Sequence, residues 1–269
     1  MNVSNRVAVI TGAGSGIGRA TALALARRGC HLALADIDPA GLKETAWMLG
    51  SQGMRVTTHP LDVADREAVR ALPAIVMDAH KRVDLLVNNA GVALGGSFEQ
   101  VAEDDFDWLM DINFNGVVRM TRAFLPLLRQ SDDARIVNVS SIYGIVSPPG
   151  QAAYSASKFA VRGFSNALRH ELEGSTVAVS VVHPGGVATA IARNARVPPD
   201  APPDEIARGR KLSEKLLRMP PDAAGEIIVR GIERRAARIL VGSDAKFVSF
   251  LERLAPVAYW RILKKATAR

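Results

Sequence analysis

Apolar runs of strand length alternate with segments of helical length along most of the chain, and few folds accommodate that pattern. Residues 6–11, 31–35, 55–60, 84–87, 135–139, 178–183 and 238–241 read as strands. Residues 16–28, 40–49, a segment capped by Asp65, 105–128 and 154–173 read as the helices between them. Gly29 and Gly50 close the first two, and Pro73 is expected to bend the third or cost it a hydrogen bond. Parallel neighbours need crossover connections, so about seven such strands predict a doubly wound parallel sheet of the α/β class. With no internal repeat and no linker, the reading is one domain over 1–243, a lid at about 190–220, and a helical extension over 244–269.

A chain of 269 residues with 48% hydrophobic and 23% charged residues buries a core without covalent staples and is neither disordered nor fibrous. Its one cysteine, Cys30, excludes an internal disulfide and a cysteine metal cluster, and suits a reducing compartment. No apolar run reaches membrane-spanning length, and the first strand starts too near Met1 to leave room for a signal peptide, so a cytoplasmic protein is expected. The net charge of +7 is localised. Residues 1–229 hold 24 basic and 24 acidic side chains, whereas 230–269 hold 10 and 3. A neutral body with a basic tail does not fit a nucleic-acid-binding face.

Chemistry enters after the first strand. Thr11-Gly12-Ala13-Gly14-Ser15-Gly16-Ile17-Gly18 joins that strand to the first helix. Glycines there let the backbone turn sharply and approach a pyrophosphate, and the helix supplies free N–H groups and the positive end of its dipole. In this strand–helix context the loop predicts dinucleotide binding. Asp36 ends the second strand, where a carboxylate accepts both ribose hydroxyls of an adenosine. Ser15 and Ile37 leave no cation for a 2′-phosphate, which favours NAD over NADP.

Over about residues 5–242 the sequence resembles the short-chain dehydrogenase/reductase family, whose fold is Rossmann-like. Thr11-Gly12 with Gly16 and Gly18 has that family's glycine spacing. Asp62-Val63, Asn88-Asn89-Ala90-Gly91, Asp111-Ile112-Asn113, Ser141, Tyr154-Ser155-Ala156-Ser157-Lys158 and Pro184-Gly185-Gly186-Val187-Ala188-Thr189 follow in the family's order. The resemblance implies an oxidoreductase moving a hydride between NAD(H) and an alcohol or ketone, with Asn113, Ser141, Tyr154 and Lys158 as the catalytic four. It implies that Gly12, Gly14, Ser15, Gly16, Ile17, Gly18, Asp36, Asp62, Val63, Asn89, Gly91, Tyr154, Lys158, Pro184, Gly185, Val187 and Thr189 hold the cofactor. Tyr154 and Lys158 share a helix face. The lysine ammonium and the nicotinamide ring are expected to lower the phenol from its ordinary pKa near ~10 so that it exchanges the alcohol proton. Ser141 would orient the substrate oxygen, Lys158 hold the nicotinamide ribose, and Asn113 a water that links Lys158 to solvent.

Ligands in this fold sit beyond the C-terminal strand ends. The segments there put Leu94, Ile142, Tyr143, Gln151, Gly186 and Ile191 in the substrate pocket, which predicts an uncharged, fairly apolar secondary alcohol or ketone; no metal ligands are predicted. Arg193 and Arg196 are expected to face solvent from the lid. A lyase or epimerase on the same scaffold, or a non-catalytic NAD-sensing protein, are the alternatives. Many tetrameric members end soon after the last strand in an acidic-Gly-Gly turn; this chain has Gly242-Ser243-Asp244 and runs on, which puts a tetramer in doubt and leaves a homodimer through the helices at 105–128 and 154–173. In the extension, Phe247, Phe250, Leu251 and Leu254 recur at helical spacing, Pro256 interrupts, and Tyr259, Trp260, Ile262 and Leu263 stand beside Arg261, Lys264 and Lys265. This pattern either folds back on the body or a dimer partner to close the pocket, or meets a membrane surface.

Overall fold

Seven strands lie parallel in one sheet in the order β3-β2-β1-β4-β5-β6-β7. They are β1 (Val7–Thr11), β2 (His31–Asp36), β3 (Val56–Pro60), β4 (Leu85–Asn88), β5 (Ala134–Val139), β6 (Val177–Pro184) and β7 (Arg238–Val241). The structure is a computed structural model describing residues 1–50 and 53–267, with the side chains of 205 and 265–267 left aside. The helices are α1 (Gly16–Ala26), α2 (Pro39–Leu49), α3 (Arg66–His80), α4 (Glu103–Met110), α5 (Gly116–Leu128), α6 (Ala152–Glu171), α7 (Pro203–Leu216), α8 (Pro221–Glu233), α9 (Ser243–Leu254) and α10 (Tyr259–Thr267).

The strands alternate their side chains between two cores. Ala8, Ile10, Leu32 and Leu34 meet α1 and α8 on one face; Val9, Ala33, Leu86 and Ile136 meet α3, α5 and α6 on the other. Burial on both faces is why the strands read as near-continuous apolar runs. Helices α1 and α8 cross so closely that a Cβ on Gly225 would lie 2.5 Å from the backbone of Ala20. Pro73 sits inside α3, whose helix continues from Arg66 to His80, and Asp65 caps it by accepting from the Glu67 and Ala68 amides.

Three elements depart from the sequence reading. The helix expected over 105–128 is two helices, α4 and α5, joined by a π-helical turn at Asp111–Asn115. Such an extra-residue turn re-aims the side chains it carries. Helices α7 and α8 occupy a stretch that the reading left without helices. For α8 the signals were present: Pro221 stands at its first turn, and Ala224, Ile228 and Ile232 recur every fourth residue on the buried face. The strand order reverses between β1 and β4, so the crevice for a ligand opens at their C-terminal ends.

Candidate active site

The loop from Thr11 to Gly16 is shaped by glycines where no other residue fits. Gly12 and Gly16 hold φ of +65° and +53°, and a Cβ on Gly18 would lie 1.9 Å from the Gly12 carbonyl oxygen. No side chain caps α1 at Ser15, and its first turn, Gly16, Ile17 and Gly18, contains no acid. The helix therefore presents uncompensated amides and a positive dipole end, the environment a phosphate needs. The Gly14 amide donates to Asp36 Oδ2 at 2.7 Å and the Asp38 amide to Asp36 Oδ1 at 2.9 Å, so the carboxylate is fixed at the loop.

Arg19, which the sequence reading passed over, braces this loop. Its guanidinium donates to the Gly14 carbonyl, to Glu44 Oε2 at 2.6 Å and to Thr45 Oγ1 at 2.9 Å. Asn89 spends its amide on the Thr11 and Gly12 carbonyls, each at 3.1 Å. Thr189 sets its methyl 3.2 Å from where a Gly16 Cβ would stand, so the segment after β6 closes over the loop. Pro184 ends β6, the Gly185 amide donates to Val241, and Val187 bridges to Met219. Val63 is buried against Gly116, whereas Asp62 is exposed and accepts from the Ala64 amide at 2.8 Å.

The four residues carried by the resemblance come from three elements, with Tyr154 and Lys158 both on α6, and meet at this end of the sheet. Asn113 is buried in the π-helical turn; its Oδ1 accepts from the Val92 amide at 2.8 Å, and its Nδ2 donates to the Val92 carbonyl at 3.0 Å and to Ser157 Oγ at 3.2 Å. A Cβ on Gly91 would touch Asn113 Oδ1 at 3.0 Å and Lys158 Nζ at 3.4 Å, so Gly91 keeps that corner open. Ser141 caps the 3₁₀ turn Ile142–Gly144 by accepting from the Tyr143 amide at 3.1 Å. Its carbonyl meets His183 Nδ1 at 2.9 Å. Burial pushes His183 down to about 4, so the ring is neutral and donates from Nδ1. His183 is thus a second residue missed by the sequence reading; only its place at the end of a buried strand hinted at it.

Lys158 Nζ lies 5.6 Å from the centre of the Tyr154 ring and donates to the Val139 carbonyl at 3.2 Å. Burial pushes this ammonium down to about 8. Burial also pushes the Tyr154 phenol up to about 12, outweighing the hydrogen bond with Ser141 that pulls it down. The side chains by themselves thus act in the opposite direction to the lowering expected once the nicotinamide ring is bound. Desolvation disfavours the phenolate more than the surrounding side chains favour it, and the protein alone keeps Tyr154 protonated.

The predicted pocket residues divide. Leu94 is buried with Trp108, Leu109 and Ala153 beside Tyr154. The Tyr143 ring stands edge-on to Tyr154, centroids 6.1 Å apart, and with Ile142 joins a cluster that includes Ile145, Val146 and Tyr259. Gln151 stands half-buried at the start of α6, and Ile191 is half-buried in the turn after β6. Gly186 is held from outside the pocket. Its amide donates to Asp244 Oδ2 at 2.6 Å, and a Cβ there would strike the Leu216 carbonyl at 2.0 Å. Arg196 is exposed, as expected, yet it stacks 3.5 Å over the Trp108 ring and donates to Asp105 Oδ1 at 2.8 Å, while its backbone pairs with residues 93–95. The segment read as a lid is therefore held near its first end against the wall that carries Leu94.

The fold and these residues define a nicotinamide-type oxidoreductase scaffold, and the comparisons agree. The family model for short chain dehydrogenases matches residues 6–199, and the chain belongs to that family. A Mycobacterium tuberculosis protein named as an oxidoreductase, SadH, is 42% identical over 266 residues, covering 98% of this chain and 96% of its own. A short-chain dehydrogenase/reductase of Burkholderia phymatum, solved in complex with NAD, superposes with a TM-score of 0.87 at 32% identity over 95% of each chain. An alcohol dehydrogenase of Thermococcus sibiricus, complexed with 5-hydroxy-NADP, gives 0.74 at 30% identity over 88% of this chain and 94% of its own.

Proposed function

We propose that this chain interconverts a secondary alcohol and its ketone with NAD(H), on a substrate that is uncharged and fairly apolar. The observation that carries the reading is the meeting of Tyr154 with Ser141 and Lys158 against an apolar wall of Leu94, Ile142 and Tyr143. The residues present fit a nicotinamide dinucleotide. The uncapped start of α1 with Gly14, Ser15, Gly16 and Ile17 would take the pyrophosphate, and Asp36 the adenosine ribose. Asp62, Val63, Asn89 and Gly91 would flank the adenine and ribose side, and Lys158 with Pro184, Val187 and Thr189 the nicotinamide end. When bound, the nicotinamide supplies the hydride acceptor or donor.

The chain's own residues handle the oxygen and its proton. Tyr154 takes the hydroxyl proton during oxidation and returns it during reduction. Ser141, fixed by its own turn and by His183, donates to or accepts from the substrate oxygen. Asn113 holds Val92, and so Gly91, in register beside Lys158, on the side from which a water would relay protons. The lid over 190–220, pinned by Arg196, covers the apolar wall and limits water. A homodimer through the outer faces of α4, α5 and α6 belongs to the same reading, with Phe159 exposed on α6.

The test is a panel of alcohols and ketones read by NADH absorbance, with NADPH in parallel. On any substrate that turns over, Tyr154→Phe is expected to lose about two orders of magnitude or more in turnover while nucleotide affinity holds. A variant working at near the wild-type rate would overturn the assignment.

A further inference from the structure

Helices α9 and α10 present two different faces. Ala245, Val248 and Leu251 of α9 are buried, and Tyr259 and Leu263 of α10 pack with Val248, Ile145 and Val146, the Tyr259 hydroxyl accepting from the Ser147 amide at 3.1 Å. The opposite face leaves apolar side chains in solvent: Phe247, Phe250 and Leu254 of α9, Val257 in the connecting turn, and Ile262 of α10, with Phe250 63% and Val257 90% exposed. Five of the fourteen exposed large apolar side chains of the described surface thus fall within sixteen consecutive residues, a concentration of exposed apolar groups at this end of the chain. Lys246, Arg253 and Arg261 are exposed among them.

We propose that this face docks the protein on an anionic lipid surface. Residues 244–269 hold six basic and two acidic side chains, so the segment that carries the patch has a net charge of +4. Interleaved aromatic, aliphatic and basic side chains suit a bilayer interface, where apolar groups enter the acyl boundary and cations meet lipid phosphate. With 12 and 9 residues, the two helices are too short to cross a bilayer and would lie along its surface. A second copy of this chain fits less well, because a two-fold contact would bring two such basic segments together. The inner face of the same helices backs onto Ile142 and Tyr143, so docking sets the wall of the substrate site next to the membrane.

The test is co-sedimentation of the full chain with vesicles of phosphatidylcholine alone or with about 30% phosphatidylglycerol added. The protein is expected to pellet with the anionic vesicles at low salt, to ignore the neutral ones, and to be released at about 1 M salt, where the Debye length is about 3 Å. The double variant Lys246→Ala/Arg261→Ala is expected to bind about thirtyfold more weakly, at about 1 kcal/mol per basic residue. Val257→Asp, at an exposed turn, is expected to lose binding with its melting temperature unchanged. Protein left in the supernatant at low salt, equal binding to neutral vesicles, or full binding by both variants would each overturn the proposal. So would a dimer that Phe250→Ser dissociates in a protein that ignores vesicles, since the face would then be a contact between copies.

Discussion

Removing the cation of Lys158 tests the proposal that Tyr154 acts as the base. The ammonium lies 5.6 Å from the phenol ring centre. At that separation and an effective dielectric constant of about 20, a unit cation stabilises a unit anion by about 3 kcal/mol. This is worth about two pKa units. Even with the lysine in place burial holds the phenol at about 12, so the positive ring of an oxidised nicotinamide must supply the rest. Lys158→Gln keeps a side chain of similar reach without the charge. The expected result is a fall of about a hundredfold in kcat/KM for alcohol oxidation near neutral pH, with the rising limb of the pH profile displaced upward by about two units. Stopped-flow NADH production from pH 6 to 10 reads both quantities, and quenching of tryptophan fluorescence by NAD⁺ measures affinity separately. A loss confined to nucleotide affinity, with the limb in place and kcat within about threefold of wild type, would refute the electrostatic role and leave Lys158 as a ribose anchor.

On the proposed preference for NAD over NADP, Asp36→Ala is expected to narrow the gap by roughly tenfold to a hundredfold, mostly by weakening NAD, because the residue also latches the Gly14 amide; paired kcat/KM values with both cofactors check this. His183, held neutral with its pKa pushed down to about 4, binds fewer protons folded than unfolded between pH 4 and 6.5. Its contribution to stability is therefore complete above about pH 6.5 and lost as the pH falls towards 4, at up to about 1.4 kcal/mol per pH unit. Urea unfolding of His183→Gln across that range is expected to show a shallower acid decline than wild type, and parallel curves would contradict it.

Much of the scaffold was legible because it rests on local rules. Apolar runs bounded by Gly and Asp marked the strands, and the glycine loop, whose Gly12 and Gly16 require positive φ, announced itself by residue type. What escaped depends on partners far along the chain. Asp244 reaches back 58 residues to Gly186, Arg196 reaches 91 to Asp105, and His183 reaches 42 to Ser141. No periodicity encodes such pairs. The break at Asp111–Asn115 escaped for a different reason. An extra residue in a helical turn leaves the apolar pattern of its flanks intact, yet it is this turn that carries Asn113 to Val92.

The direction of the Tyr154 shift says where the reactivity of this site resides. A phenol pushed up to about 12 and an ammonium pushed down to about 8 by the same burial are both biased toward their neutral forms. Two groups that each resist charging alone stabilise one another once both are charged. Adding a further positive charge to the crevice favours the phenolate directly and disfavours the ammonium, and the hydrogen bond from Lys158 to the Val139 carbonyl then helps to keep the ammonium charged. With the side chains alone Tyr154 is a poor base, and on the proposed reading it becomes one when a positive ring fills the crevice.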